Sequence, residues 1–344
     1  MISLFALVLV APMSAHAEAG LLVGVHDDQI KWRTRPNPIF PAVRTLGLDA
    51  MRVTLRWRPG RRNPSVRTHH ELQRMVAADR HGVRIVLGVY GRADDAPSTA
   101  GEREDYCRYV RNILLRYSEI RDVVIWNEAN SHAFWRPDRK APAAAYAALL
   151  SRCWDLLHSS VPGVNVITTT AAGHDPGAFL GAVADAYRAS GRPRPLFDTV
   201  GHNPYPLYPD ELPDTLHHVY VGQGDHARLV TMLDESFADT AQPPTSIWYL
   251  ENGFQTSVAA WRRSLYAGHE ASKARSRAHA RQSSSERRCA SPTVNHASRH
   301  TSTSSSSTSR RSTAGSQVFS GPTGGRSRRS PRTERRSRTC APVR

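Results

Sequence analysis

Val123-Val124-Ile125-Trp126-Asn127-Glu128-Ala129-Asn130 is an apolar run that ends in an amide beside a carboxylic acid. Three β-branched residues and a tryptophan in succession need cover on both faces, the condition of a strand inside a parallel sheet. A second run of the same design, Ile247-Trp248-Tyr249-Leu250-Glu251-Asn252-Gly253-Phe254, also ends in glutamate. On either side of these two, apolar runs of strand length alternate with amphipathic stretches, the pattern of repeated βα units. Strands are expected at 21–25, 50–57, 83–90, 122–128, 164–170, 198–203 and 246–251. Between them, 102–117 carries Tyr106, Val110, Ile113, Leu114 and Tyr117 at helical spacing. A second helix is expected over 142–158, with Pro142 suited to a first turn.

Two architectures build on such units. A doubly wound open sheet carries a Gly-rich phosphate loop after its first strand. Here that strand runs into His26-Asp27-Asp28, and no such loop follows elsewhere in the body. The expected fold is therefore α/β, a (β/α)8 TIM-type barrel over residues 18–268, incomplete because only seven strands are evident.

In a barrel the C-terminal strand ends form the active rim, so two strand-terminal glutamates face one another across the mouth. Paired carboxylates are what cleavage of a glycosidic bond requires: one protonates the departing oxygen, and the other attacks the anomeric carbon or activates water. Capping of the following loops is the alternative use of each glutamate. Trp57, Tyr90, Trp126, Trp135 and Tyr208 are candidates for stacking on sugar faces, Trp135 first because it follows Glu128 closely. Asp27 and Asp28 are candidates either for binding sugar hydroxyls or for capping a loop.

With these motifs the body, over most of residues 20–265, resembles the retaining barrel glycosidases of clan A, the superfamily of the family 5 cellulases and mannanases and the family 39 xylosidases. The resemblance implies a hydrolase of β-linked poly- or oligosaccharides with Glu128 as acid/base and Glu251 as nucleophile. It also implies that Asn127 meets the sugar 2-hydroxyl. Arg52, in Met51-Arg52-Val53-Thr54, resembles the clan's strand-two arginine beside the nucleophile. Gly201-His202-Asn203-Pro204-Tyr205 resembles its His-x-x-Tyr pattern, in which His202 and Tyr205 position the nucleophile and line the sugar site. Glu128, less well supplied with positive charge, is expected to carry the raised pKa of a general acid. The chain departs from the clan in having no eighth strand after Tyr266. A carbohydrate-binding barrel without turnover is the alternative reading of the same cleft.

The formal net charge is +16, but residues 261–344 carry 19 Lys+Arg against 3 Asp+Glu, and the first 260 residues hold 27 of each sign. Any polyanion binding would belong to that stretch, and nucleic acid is not an expected partner of the body. Residues 269–344 are rich in Ser and Arg, with too little apolar surface to offset the entropy of ordering, and are expected to be disordered. The abrupt change of composition points to a shifted coding frame. At the other end, an apolar run over 2–10 precedes Ala15-His16-Ala17, which reads as a secretory signal peptide at 1–17. Its missing basic region points to a start codon further upstream, with a short membrane-associated start as the alternative. The mature chain is expected to be secreted and monomeric, without a membrane span. Cys107, Cys153, Cys289 and Cys340 have no metal-site spacing, so neither metal nor cofactor is expected. Cys107 and Cys153, on consecutive outer helices, fit either a disulfide or two buried thiols.

Overall fold

A computed structural model of the chain describes residues 21–32, 39–78, 81–137, 142–208, 210–254, 258 and 260–265. The chain divides into two units, Met1–Ser284 and Ser285–Arg344, and every described residue belongs to the first. The expected signal peptide at 1–17, the Ser/Arg-rich stretch at 269–344, Cys289 and Cys340 lie outside the described residues.

Seven strands form one sheet in chain order, each pair of neighbours parallel: β1 (Gly24–His26), β2 (Ala50–Arg56), β3 (Arg84–Tyr90), β4 (Asp122–Ile125), β5 (Asn165–Ala171), β6 (Thr199–Asn203) and β7 (Ser246–Tyr249). Parallel neighbours need a crossover. It is supplied in turn by α1 (Ile39–Thr45), α2 (Val66–Val76), α3 (Ala100–Arg116), α4 (Pro142–His158), α5 (Pro176–Ala189) and α6 (His226–Phe237). A doubly wound sheet reverses its strand order at a switch point, and this one does not.

The sheet is curled. Laid flat, β2 and β7 would stand about 24 Å apart at ~4.8 Å per strand. Yet Arg52 of β2 bonds Glu251, which follows β7, and the Arg84 guanidinium of β3 lies 5.1 Å over the Trp248 ring of β7. The architecture is thus an incomplete (β/α)8 barrel, in which the outer edges of β1 and β7 have no strand beside them among the described residues.

Side chains alternate inward and outward along each strand. Inside, Val86, Val124, Ile167 and Leu250 pack with Trp248. Below them runs a polar chain: Arg84 forks onto Asp122 at 2.5 and 2.7 Å, Asn165 donates to Asp122 at 2.8 Å, and Thr199 donates to Asn165 at 2.8 Å. Gly201 on β6 has no room for a side chain, since an added Cβ would stand 2.3 Å from the Thr168 carbonyl and 2.5 Å from Leu250. Outside, the sheet is covered by the apolar faces of the helices, including Leu72, Met75, Ile113, Leu149, Leu180 and Leu229.

Several element ends differ from the sequence reading, three of them with a visible physical cause. The first strand is Gly24–His26, not 21–25: Leu21, Leu22 and Val23 are exposed, and the register with β2 runs from Gly24 opposite Ala50 to His26 opposite Arg52. β4 stops at Ile125 because the backbone turns left-handed at Trp126, with φ at 63°. α3 begins two residues earlier than expected, at Ala100, where Thr99 and Glu102 form a capping box.

Cys107 of α3 and Cys153 of α4 form a disulfide, settling the two readings of these thiols. Closing a loop 46 residues long removes on the order of 4 kcal/mol of unfolded-chain entropy in the simple chain model. Cys107→Ser with Cys153→Ser is expected to lower stability by about 2–4 kcal/mol. Urea unfolding with and without a reductant measures it: reductant should destabilise the parent chain and leave the double variant unchanged.

Candidate active site

The C-terminal ends of four strands, β1, β4, β6 and β7, gather around Arg52 of β2. This guanidinium, 4% exposed, donates through Nη1 to Glu251 Oε1 and through Nη2 to Asn127 Oδ1 at 2.8 Å. His26 Nδ1, at the end of β1, lies 3.3 Å from the same Nη1 and 3.9 Å from Glu251 Oε1. Tyr205, just past β6, donates its hydroxyl to Glu251 Oε2 at 3.0 Å. Asn203, the last residue of β6, donates through Nδ2 to Glu128 Oε1 at 2.7 Å. Arginine suits the centre of such a cluster because its planar fork serves two acceptors at once.

The backbone after β4 explains how neighbours in sequence reach different places. Continued as a strand, Trp126 would point into the barrel. With positive φ at Trp126 and Glu128, 63° and 41°, the indole turns outward into an aromatic cluster with Trp57, Tyr106 and Trp135. The turn brings Asn127 to Arg52 and Glu128 to Asn203. Left-handed conformations at bulky residues are costly and persist where the surroundings hold them. Here Tyr106 accepts the Trp126 N–H at 3.0 Å, and Ser131 N donates to the Glu128 carbonyl at 2.8 Å. Asn130 clamps the same turn to β5, accepting from Ala171 N and donating to the carbonyls of Ala171 and Gly173.

Beside Glu128 lies a cavity of about 260 Å³, walled by Glu128, Ser131, His174, Asn203, Tyr205 and Tyr220 among others. That is the volume of roughly nine waters, room for one sugar unit. Burial raises the Glu128 pKa, the negative charge of Glu251 adds to the rise, and the Asn203 hydrogen bond and Arg52 oppose it. Tyr205 and Tyr220 are both raised, chiefly by burial, Tyr220 to about 12. His26 is lowered, first by burial and next by Arg52.

A carboxyl whose folded pKa lies above its unfolded value, about 4.3 for Glu, favours folding while protonated and loses that contribution as pH rises through the two values. Glu128→Gln is therefore expected to be more stable than the parent at pH 7.5, with the difference vanishing below about pH 4. Paired thermal melts at the two pH values check this, and an equal offset at both would refute it.

Of the residues singled out from sequence, the structure brings together Glu128, Glu251, Asn127, Arg52 and Tyr205. Two others lie elsewhere. His202 is fully buried and points outward from the barrel, because Gly201 and Asn203 on either side of it point inward. Its Nε2 donates to the Val221 carbonyl at 2.8 Å and its Nδ1 lies 2.9 Å from the Thr170 hydroxyl, leaving neither nitrogen for a ligand. Burial lowers its pKa to about 4, so it is a neutral structural group above that pH. Trp135 is 2% exposed, folded back by the turn at Ser131 into the core between Trp126 and Tyr146, where it has no face to offer a sugar.

Trp57 and Trp126 are likewise core residues, while Tyr208 is exposed. Asp27 caps the 3-10 turn Asp28–Lys31, and Asp28 is held by the Thr54 backbone and hydroxyl and by Lys31. Both serve the fold. The sequence reading missed His26, Asn203 and Tyr220. The first two sit at strand ends where the rim rule already applied; Tyr220 lies in a loop that carries no such signal.

No protein-family model matches the chain, and no curated protein matches it. Among solved structures, it is similar to a fungal β-1,4-galactanase at 13% identity, covering 62% of this chain and 81% of that one with a TM-score of 0.39. It is similar to the GH53 catalytic domain of Ignisphaera aggregans at 15% identity, covering 66% and 84%, TM-score 0.40. The family 51 α-L-arabinofuranosidase AbfB of Bifidobacterium longum matches at 15% identity over 68% of this chain and 55% of that one, TM-score 0.43.

Proposed function

We propose that the chain is a retaining glycoside hydrolase acting on a β-linked oligo- or polysaccharide. The observation that carries this reading is the convergence of Glu128 and Glu251, far apart in sequence, on one barrel mouth where each interacts with Arg52 and with the other's charge. The Glu251 carboxylate attacks the anomeric carbon while Glu128 gives its proton to the glycosidic oxygen, and the leaving sugar departs. Glu128, now a carboxylate, takes a proton from water, whose oxygen attacks the same carbon and releases Glu251. A carboxyl held above its usual pKa suits the first step, and the loss of Glu251's charge on forming the intermediate lowers Glu128 for the second.

Asn127, its Oδ1 taken by Arg52, has its amide nitrogen left to meet the sugar 2-hydroxyl. Tyr205 orients the nucleophile. The disulfide supports secretion, since such bonds persist in oxidising compartments, and we take the mature protein to be a monomer that meets its substrate outside the cell. Aryl β-glycosides of galactose, mannose, glucose and xylose, with the product anomer read by NMR, test the proposal. Turnover giving β product first supports it. α Product identifies an inverting enzyme, and saturable binding without turnover identifies a carbohydrate-binding barrel; either overturns it.

A further inference from the structure

Asn203 is an odd residue to bury. It is 0% exposed, its Oδ1 has no partner, and its single described side-chain hydrogen bond runs from Nδ2 to Glu128. A buried amide that held the fold together would have both ends paired, as Asn130 and Gln242 do. Its backbone, by contrast, is firmly tied: Asn203 pairs with Ala171 across β5 and β6, and its carbonyl accepts from Ala172 N at 3.2 Å and Tyr205 N at 2.9 Å. The fold thus spends a rigid strand end on aiming one N–H at one carboxyl oxygen.

We infer that Asn203 is a positioning residue for Glu128, its amide fixing Oε1 so that Oε2 is the oxygen that addresses the bond being broken. Oε2 has no hydrogen-bond partner among the described residues, and both Glu128 and Asn203 wall the cavity. The arrangement matters because Glu128 sits on a left-handed backbone, at φ 41°, on a turn rather than on a strand. A side chain on such a turn needs an external hold if its carboxyl is to keep one direction through two opposite proton transfers. The other ionisable groups that interact with Glu128 are Arg52 on β2, Glu251 after β7, and the tyrosines 205 and 220 in the loops after β6, with His174 in the wall after β5. None of them bonds its carboxyl. The amide also favours the charged form of Glu128 and so limits how far burial raises it.

The inference rests on Glu128 being the acid/base of the proposed reaction, so its test has one arm that needs no activity. The full chain carrying ¹³C-labelled glutamate is titrated by NMR, with Glu128→Gln identifying the resonance. Asn203→Ala is expected to move the Glu128 midpoint upward. Asn203→Asp, the same size as the amide and so tolerated if truncation is not, places a second carboxyl at the same spot, and the pair then shares a proton and moves the midpoint upward too. An unchanged or lowered midpoint in either variant overturns the inference, whatever the enzyme does.

The second arm uses 2,4-dinitrophenyl and methyl β-glycosides of the best-accepted sugar. Asn203→Ala should cut kcat/KM on the methyl glycoside, whose departure needs the acid, by about 10²-fold, as small misplacements do. On the dinitrophenyl glycoside, whose departure needs none, kcat/KM should hold while kcat and KM fall together, and azide should restore kcat. Equal losses on both substrates would mark a merely structural role. A raised midpoint with no turnover by the parent chain would sink the proposed function and leave the geometry of this pair standing.

Discussion

Glu251→Ala is expected to lower kcat on an activated aryl glycoside by at least about 10⁴-fold, since it removes the nucleophile of the proposed reaction and with it the covalent route. The substitution leaves a space at the mouth faced by Arg52 Nη1 and the Tyr205 hydroxyl, two donors that have lost their acceptor. Formate at high concentration can occupy that space as the missing carboxylate did. It is expected to restore part of the turnover of the dinitrophenyl glycoside, and the first product should have inverted configuration because attack then comes directly from the added anion. Measurement of kcat with and without formate, with chiral identity of the product by NMR, decides it. Residual activity within tenfold of the parent would remove Glu251 from the reaction.

Arg52→Met is the substitution with the largest expected effect on folding. Arg52 has 4% and Glu251 15% of the side chain exposed, so the change strips Glu251 Oε1 and the Asn127 carbonyl of their donor and leaves the largely buried carboxylate only the Tyr205 hydroxyl. Breaking such a pair costs about 3–5 kcal/mol, most of it the cost of the charge left behind. The double variant Arg52→Met with Glu251→Gln removes that charge and should regain a large part of the loss, which separates pairing from packing. Arg52→Lys should fall between, because an ammonium keeps the charge but cannot hold Glu251 and Asn127 in one plane. Urea unfolding at neutral pH reads all three, and a loss below about 1 kcal/mol for Arg52→Met would contradict the geometry.

That the two glutamates meet at one mouth was legible because each closely follows the end of a strand in a chain of regular βα units, whereas Arg52, third of the seven residues of β2, stood out only through the resemblance of its motif. Strand existence and order followed from apolar runs for the same reason. The place of His202 was not legible from motif spacing, because alternation along the strand is what assigns a residue to a face. In His202-Asn203 the inward position belongs to the amide, and Gly201 two residues earlier, with no room for a side chain inside the barrel, carried that information. The place of Trp135 was hidden for a different reason: nothing local says which way the turn after Glu128 will throw a ring. That was decided by the aromatic cluster of Trp126 and Tyr146 waiting on the other side of the sheet. The early end of β4 was hidden too, since Trp126 has high strand propensity, and only tertiary packing accounts for its left-handed backbone.

The bond between Cys107 and Cys153 encloses β4 and the turn that follows it within a covalent ring. Slippage of this strand by a residue would have to drag two helices with it, because both are anchored to the ring's closure. A protease cut anywhere inside the ring yields no separated fragments until the sulfurs are reduced. The segment bearing Asn127 and Glu128 is therefore fastened at both flanks by chemistry rather than by packing alone. Its amides are expected to exchange with solvent deuterium only when α3 and α4 part, and faster once the bridge is opened.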